Sequence, residues 1–147
     1  MIETYVAERW LQETLNAYEP LTDLVDSRIY SGMAPKGRVS PFVLFQFVPS
    51  ASDINIGQSE RGATYMEYLV EGIRDGESFD IPHQIAAAID EAIHDKRETV
   101  NYGTVQDPVI WRIDCIRLRP HQMAYYDTPQ EVRHSGGFYR LIIRPDC

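Results

Sequence analysis

The stretch "PFVLFQFV", residues 41–48, constrains the fold more than any other part of the chain. From Phe42 to Val48 one set of alternate positions is Phe42, Leu44, Gln46 and Val48, and the other is Val43, Phe45 and Phe47, so both sides are apolar except at Gln46. Successive side chains of a strand point to opposite faces, and a segment apolar on both needs cover above and below. The reading is an interior strand of a sheet. "PSASDINIGQSERG" is too polar and too rich in small residues to continue it. It reads as a loop of about a dozen residues, a length at which connections are usually functional or mobile.

An interior strand needs neighbours. Ala63 to Ile73 supplies one, with Met66, Tyr68 and Val70 on one face while Glu67 and Glu71 mark the other as partly solvent-exposed; the two strands are expected to form a hairpin. "VIWRIDCIRL" alternates Trp111, Ile113 and Cys115 with Arg112 and Asp114, then changes phase at Ile116 and Leu118, which signals a bulge or a strand end. The polar connection from Arg119 to Gly137 carries Pro129 and the Gly136–Gly137 pair, and "GFYRLIIRP" closes the chain as another strand.

Cover for the sheet comes from two helical patterns. Between Glu3 and Tyr18, Val6, Ala7, Trp10, Leu11, Leu15 and Tyr18 share one side of a 3.6-residue period and Glu8, Arg9, Gln12, Glu13 and Asn16 the other. Pro20 is expected to close this helix, with "LTDLVDSRIY" a turn-like segment leading into a short strand around Ile29 and Tyr30. After the turn chemistry of "RDGESFD", Asp80 and Pro82 mark a second helix start, with the Asp80 carboxylate as cap. Ile81, Ile85, Ile89, Ala92 and Ile93 form its buried stripe, His83, Asp90, Glu91, His94 and Asp95 lie outside, and Lys96 and Arg97 follow at the negative end of the dipole. The fold class is therefore α+β: a mostly antiparallel sheet with two amphipathic helices packed on one face and long inter-strand loops. At 147 residues the chain, 1–147, reads as one domain, long enough to bury roughly 68–70% of the surface its unfolded form exposes.

Twenty-two acidic against fourteen basic side chains give a net charge of −8. The mean field repels phosphate and anionic lipid, which disfavours tight nucleic-acid binding. The opening "MIETYVAERW" lacks a basic start and an apolar run, and no stretch of about 18 apolar residues occurs, so a cytosolic protein is expected. Cys115 and Cys147 have neither metal nor redox spacing and are expected as reduced thiols.

Motifs for chemistry are scarce. His83 and His94 stand eleven apart on one helix, about 15–17 Å along its axis, too far to share an ion. His121 and His134 flank the presumed polar connection and read as solvated loop residues rather than metal ligands. The chain contains no G-x-x-x-x-G-K-[ST], G-x-G-x-x-G or G-x-S-x-G pattern. Asp53 with Arg61, or Glu67 with Glu71, could form an acid and base pair, yet such spacings are common in a chain this acidic and read first as solvated charges. The arginines of the C-terminal half stand out instead. Arg112, Arg117, Arg119, Arg140 and Arg144 lie on two presumed strands and concentrate positive charge on an acidic molecule, as a polar sheet face or as an interface that reads an acidic neighbour.

Taken in order, the N-terminal amphipathic helix, "SRIY", "PFVLFQFV", a loop carrying "SD" and "ERG", "TYMEYLVEGI", "IAAAIDEAIHD" and "GFYRLIIR" resemble the tail completion or tail terminator proteins of long-tailed bacteriophages and related gene transfer particles. "RETVNYGTVQDPV" and the connection from Arg119 to Gly137 match that pattern least. The resemblance implies a non-enzymatic virion protein, without metal or cofactor, that assembles in the host cytoplasm and resides at the junction of tail and neck. Six copies would form a ring on the last ring of tail tube protein, stop its polymerisation and present a surface to a head-completion or connector protein. Six copies at −8 carry about −48, and an acidic channel lets DNA pass without sticking. Residues offered for contacts are Ser52, Asp53, Glu60 and Arg61 of the loop, together with Arg112, Arg117, Arg119, Arg140 and Arg144. Two other readings stay open: another neck or tail component, such as a head-completion or tube protein, and a small cytosolic hydrolase using Asp53 or a histidine.

Overall fold

The stripe of period 3.6 at the N-terminus folds as α1 (Ile2–Ala17), which buries Val6, Ala7, Trp10, Leu11 and Leu15. The computed structural model describes residues 2–49, 53–56, 62–127 and 130–146. Pro20 does not end α1. It sits in the first turn of a second, short helix, α2 (Glu19–Val25), where proline's missing N–H is not needed. The segment expected to be turn-like is thus helical, held by the burial of Leu21 and Val25.

The strands are β1 (Ile29–Ser31), β2 (Phe42–Phe47), β3 (Asp53–Ile56), β4 (Ala63–Asp75), β5 (Lys96–Asn101), β6 (Ile110–Asp127) and β7 (Gln130–Pro145); α3 (Asp80–Ile93) follows β4. They form one sheet in the order β1-β2-β4-β7-β6-β5, with β3 paired to the same edge of β4 beyond β2. All pairs are antiparallel except β1 with β2. That parallel pair needs the chain to return, and residues 32–41 do so through Gly32 and Gly37 at φ 75° and 72°, conformations costly for side chains with a Cβ.

β2 is an interior strand covered on both faces. Val43 and Phe45 join a large core with Trp10, Leu11, Met66, Tyr68, Ile85, Ile89, Tyr139 and Leu141, to which all three helices contribute. Phe42 and Leu44 join a smaller one with Ile73 and Val132 on the opposite face. Each fully buried side chain of this kind stabilises by about 1.5–3 kcal/mol. α3 approaches the sheet at Gly72, where an added Cβ would overlap Ile85.

Several boundaries differ from expectation. The α3 N-cap is Phe79, without a side-chain cap, and Asp80 is the first helical residue, its N–H donated to Ser78 Oγ at 3.1 Å. Lys96 and Arg97 lie beyond the helix end and open β5, which from Arg97 on belongs to the stretch that resembled least. β3 interrupts the presumed long loop. The expected connection from Arg119 to Gly137 is instead most of a long β6–β7 hairpin, paired from Trp111–Pro145 to Asp127–Gln130. The phase change after Cys115 is a bulge: Arg117 faces Tyr139 and Arg119 faces Phe138, leaving Leu118 as the extra residue.

Candidate assembly interface

The sheet has one face under the helices and one without them. On the helix-free face, register aligns Arg112 of β6 with Arg144 of β7, and Glu67 of β4 with Arg140 of β7. Arg119 reaches this face after the bulge. Four of the five arginines singled out from sequence therefore gather on one surface. Arg117 is on the other face, 3.1 Å from Asp90 of α3. Asp53 opens β3 opposite Tyr65, and Ser52, Glu60 and Arg61 lie outside the described residues.

Arg112 and Arg144 stand directly opposite on adjacent strands and are both exposed, a like-charge pairing that opposes folding. Asp146 offsets part of it, 3.3 Å from Arg112 Nε, and Asp114 lies 3.8 Å from Arg97 of β5. These are surface pairs, each worth about 0–1 kcal/mol. Arg119 is held more firmly: its guanidinium lies 4.0 Å above the Phe138 ring and is ion-paired with Glu67 Oε1 at 2.9 Å.

Sequence placed Glu67 and Glu71 on a partly exposed face, but they are 5% and 2% accessible. The long hairpin covers them. Glu71 accepts from two imidazoles, with His134 Nδ1 2.8 Å from Oε1 and His121 Nδ1 3.2 Å from Oε2. His134 Nε2 lies 3.2 Å from Tyr125 Oη, and His121 meets Phe138 edge-on at 5.3 Å. The two histidines are thus not solvated loop residues. They satisfy a buried carboxylate from neighbouring strands, because unpaired it would carry a heavy desolvation cost. Alternation of Met66, Tyr68 and Val70 with Glu67 and Glu71 was the available signal; what sequence hid was the extent of the hairpin.

On the helix side, Tyr139 donates to Asp90 Oδ1 at 2.9 Å, and burial, with Asp90 nearby, pushes its phenol up. Burial likewise pushes the Cys115 thiol up, which makes it a packing residue. Between α3 and β6 runs an open groove of about 570 Å³ lined by Ala86, Ala87, Asp90, Arg117 and Gln122 among others. His83 Nδ1 lies 2.8 Å from Ser135 Oγ beside it, the imidazole stacked on Phe79 at 5.3 Å. Among the described residues no three His, Cys, Asp or Glu side chains are placed to hold a metal ion. No helix among them is long and apolar enough to cross a membrane.

The fold is shared with a solved structure. The chain is similar to a chain of the "Virion of native gene transfer agent (GTA) particle", with a TM-score of 0.61 at 16% identity, over 90% of this chain and 91% of that one. At that identity the likeness is one of fold. No family model matches the chain, and no curated protein matches it.

Proposed function

We propose that this chain is a structural virion protein of a phage-like particle, one that caps the tail tube as a ring, ends tail growth and joins the tail to the neck. The observation that carries this reading is the fold shared, over 90% of this chain, with a chain of a gene transfer agent virion. The order of segments that resembles tail terminators runs the same way along the chain. The arginine face supports it independently. Arg112 and Arg144 repel each other in the isolated chain, so a carboxylate-rich neighbour would relieve a strain already present. The remaining surface of a chain at −8 is strongly acidic, suited to contact that face and to line a passage for DNA.

The test is tail length. In a particle-producing strain lacking this chain, tubes are expected to overgrow and to remain unjoined to heads; complementation restores normal length, and the Arg112→Glu, Arg144→Glu double variant folds yet fails to restore it. Tubes of normal length without the chain would overturn the terminator role. Normal-length tubes left detached from heads would assign it to the neck instead.

A further inference from the structure

Leu141 and Ile143 of β7 belong to the main core, so Arg140, Ile142 and Arg144 turn to the helix-free face. Register sets Ile116, Asp114 and Arg112 of β6 beside them in that order. Ile142 is thus an aliphatic centre with an arginine two residues to either side on its own strand. Two neighbouring guanidiniums are engaged within the chain, Arg97 with Asp114 and Arg112 with Asp146. Arg140 stands opposite Glu67, but Glu67 pairs with Arg119. Among the described residues neither Arg140 nor Arg144 has an ion-pair partner, and both are exposed.

Beside Ile142 the face is hollow. A cavity of about 170 Å³ is walled by Arg97, Asp114, Ile116, Arg140 and Ile142 among others, and Ile116 is an exposed apolar side chain. Small-molecule sites commonly hold roughly 300–1,000 Å³, so this space suits a single apolar side chain of a protein partner, entering next to a carboxylate. A phosphate backbone has nothing to place against aliphatic walls, and the net charge of −8 opposes its approach.

Spacing narrows the partner further. Four residues of strand span about 13–14 Å, so carboxylates four apart in an extended segment match Arg140 and Arg144, and the residue midway falls over Ile142. Strands stacked face to face lie within about 30° of each other, which keeps the two periods in step over so short a length. In this chain the acidic pairs four apart with Leu or Ile midway are Glu19–Asp23, Glu67–Glu71, Glu71–Asp75 and Glu91–Asp95. Leu21, Ile73 and Ile93 at three of those centres are buried, and so are Glu67 and Glu71. A folded copy of this chain therefore has no such segment to offer.

We propose that the helix-free face around Ile142 docks an extended acidic segment of a different protein: two carboxylates four residues apart meet Arg140 and Arg144, and an apolar side chain between them enters the hollow. Charge sets the register and the hollow sets the sequence. The proposal rests on the virion reading above and specifies the carboxylate-rich neighbour invoked there.

The test uses the full chain and fluorescein-labelled peptides, with binding read by anisotropy. The matched peptide is GSETLTESG; the controls are GSEETTLSG, of the same composition, and GSETSTESG, without the leucine. The matched peptide is expected to bind at least tenfold more tightly than either control, and Arg140→Gln and Arg144→Gln should each weaken it about tenfold. Arg144→Gln also removes the repulsion with Arg112, so its Tm should rise while binding falls, which separates docking from folding. Equal binding of all three peptides, binding of none, or unchanged affinity in both arginine variants would overturn the proposal. So would displacement of the matched peptide by a short DNA duplex, or self-association of the chain that Arg144→Gln abolishes. Selective peptide binding by a chain whose loss leaves tails unaltered ends the tail reading and keeps this docking face, whereas overgrown tails without peptide selectivity do the reverse.

Discussion

Tyr68 and Glu67 are neighbours on β4 and point to opposite faces of one sheet, each almost wholly buried. Tyr68 enters a continuous apolar core, closed by three helices within the same chain, and its environment is complete in the monomer. Glu67 enters a charged layer, kept from water by the hairpin and paired with Arg119, itself half in solvent. The helix-covered face is stabilised by area removed from water, which needs only shape and volume. The open face has only a small apolar core around Phe42, Leu44, Ile73 and Val132, and elsewhere is held by charges meeting partners at fixed distances. The lesson is that one strand can serve two environments: its even positions pack into the apolar core under the helices, and Glu67 and Glu71 among its odd positions are paired with charge and imidazole from the hairpin.

Substitutions can break that contrast. Trp10→Ala should have the largest effect. It empties the core on the helix-covered face and leaves Glu98, now 2.9 Å from the indole N–H, without its partner; a loss of about 4 kcal/mol is expected, read as a lowered denaturant midpoint. Glu71→Ala strikes the other face. Two imidazole N–H groups lose their acceptor, at a cost of about 2 kcal/mol, and amide exchange should accelerate in the hairpin while the helices stay protected. An equal acceleration in α1 would mean that the faces are not separable. The smallest effect sharpens the comparison from within the core. The Tyr68 hydroxyl is buried with no hydrogen-bond partner among the described residues, so Tyr68→Phe should raise stability by about 1 kcal/mol, seen as an increased Tm.

Much of the helix-covered face was legible in the sequence, because Val6, Trp10 and Leu11, or Ile85, Ile89 and Ile93, repeat with a period that one strip of surface imposes. The two-sided burial of Phe42–Phe47 was legible for the same reason. The arginines on adjacent strands were legible in kind, but their division between faces was not: the bulge puts Arg117 and Arg119, two residues apart, on opposite sides. His121 and His134 misled because the polar composition of residues 119–137 reads as loop, whereas cross-strand pairing with β4 and β7 dictates strand. β3 and β5 are short or solvent-exposed, and such strands carry little apolar alternation to find.

The extra residue at Leu118 has a consequence for how this hairpin can evolve. Everything beyond it in β6 keeps its sidedness by counting from that slip, so losing one residue there would turn His121 and Met123 toward the helices and Gln122 and Ala124 away, undoing the seat of Glu71 without touching a single contact directly. Changes of length are therefore best tolerated at the hairpin tip, where no parity is at stake. Lineages carrying this arm should lengthen or shorten it there, and hold the count between Cys115 and His121 fixed.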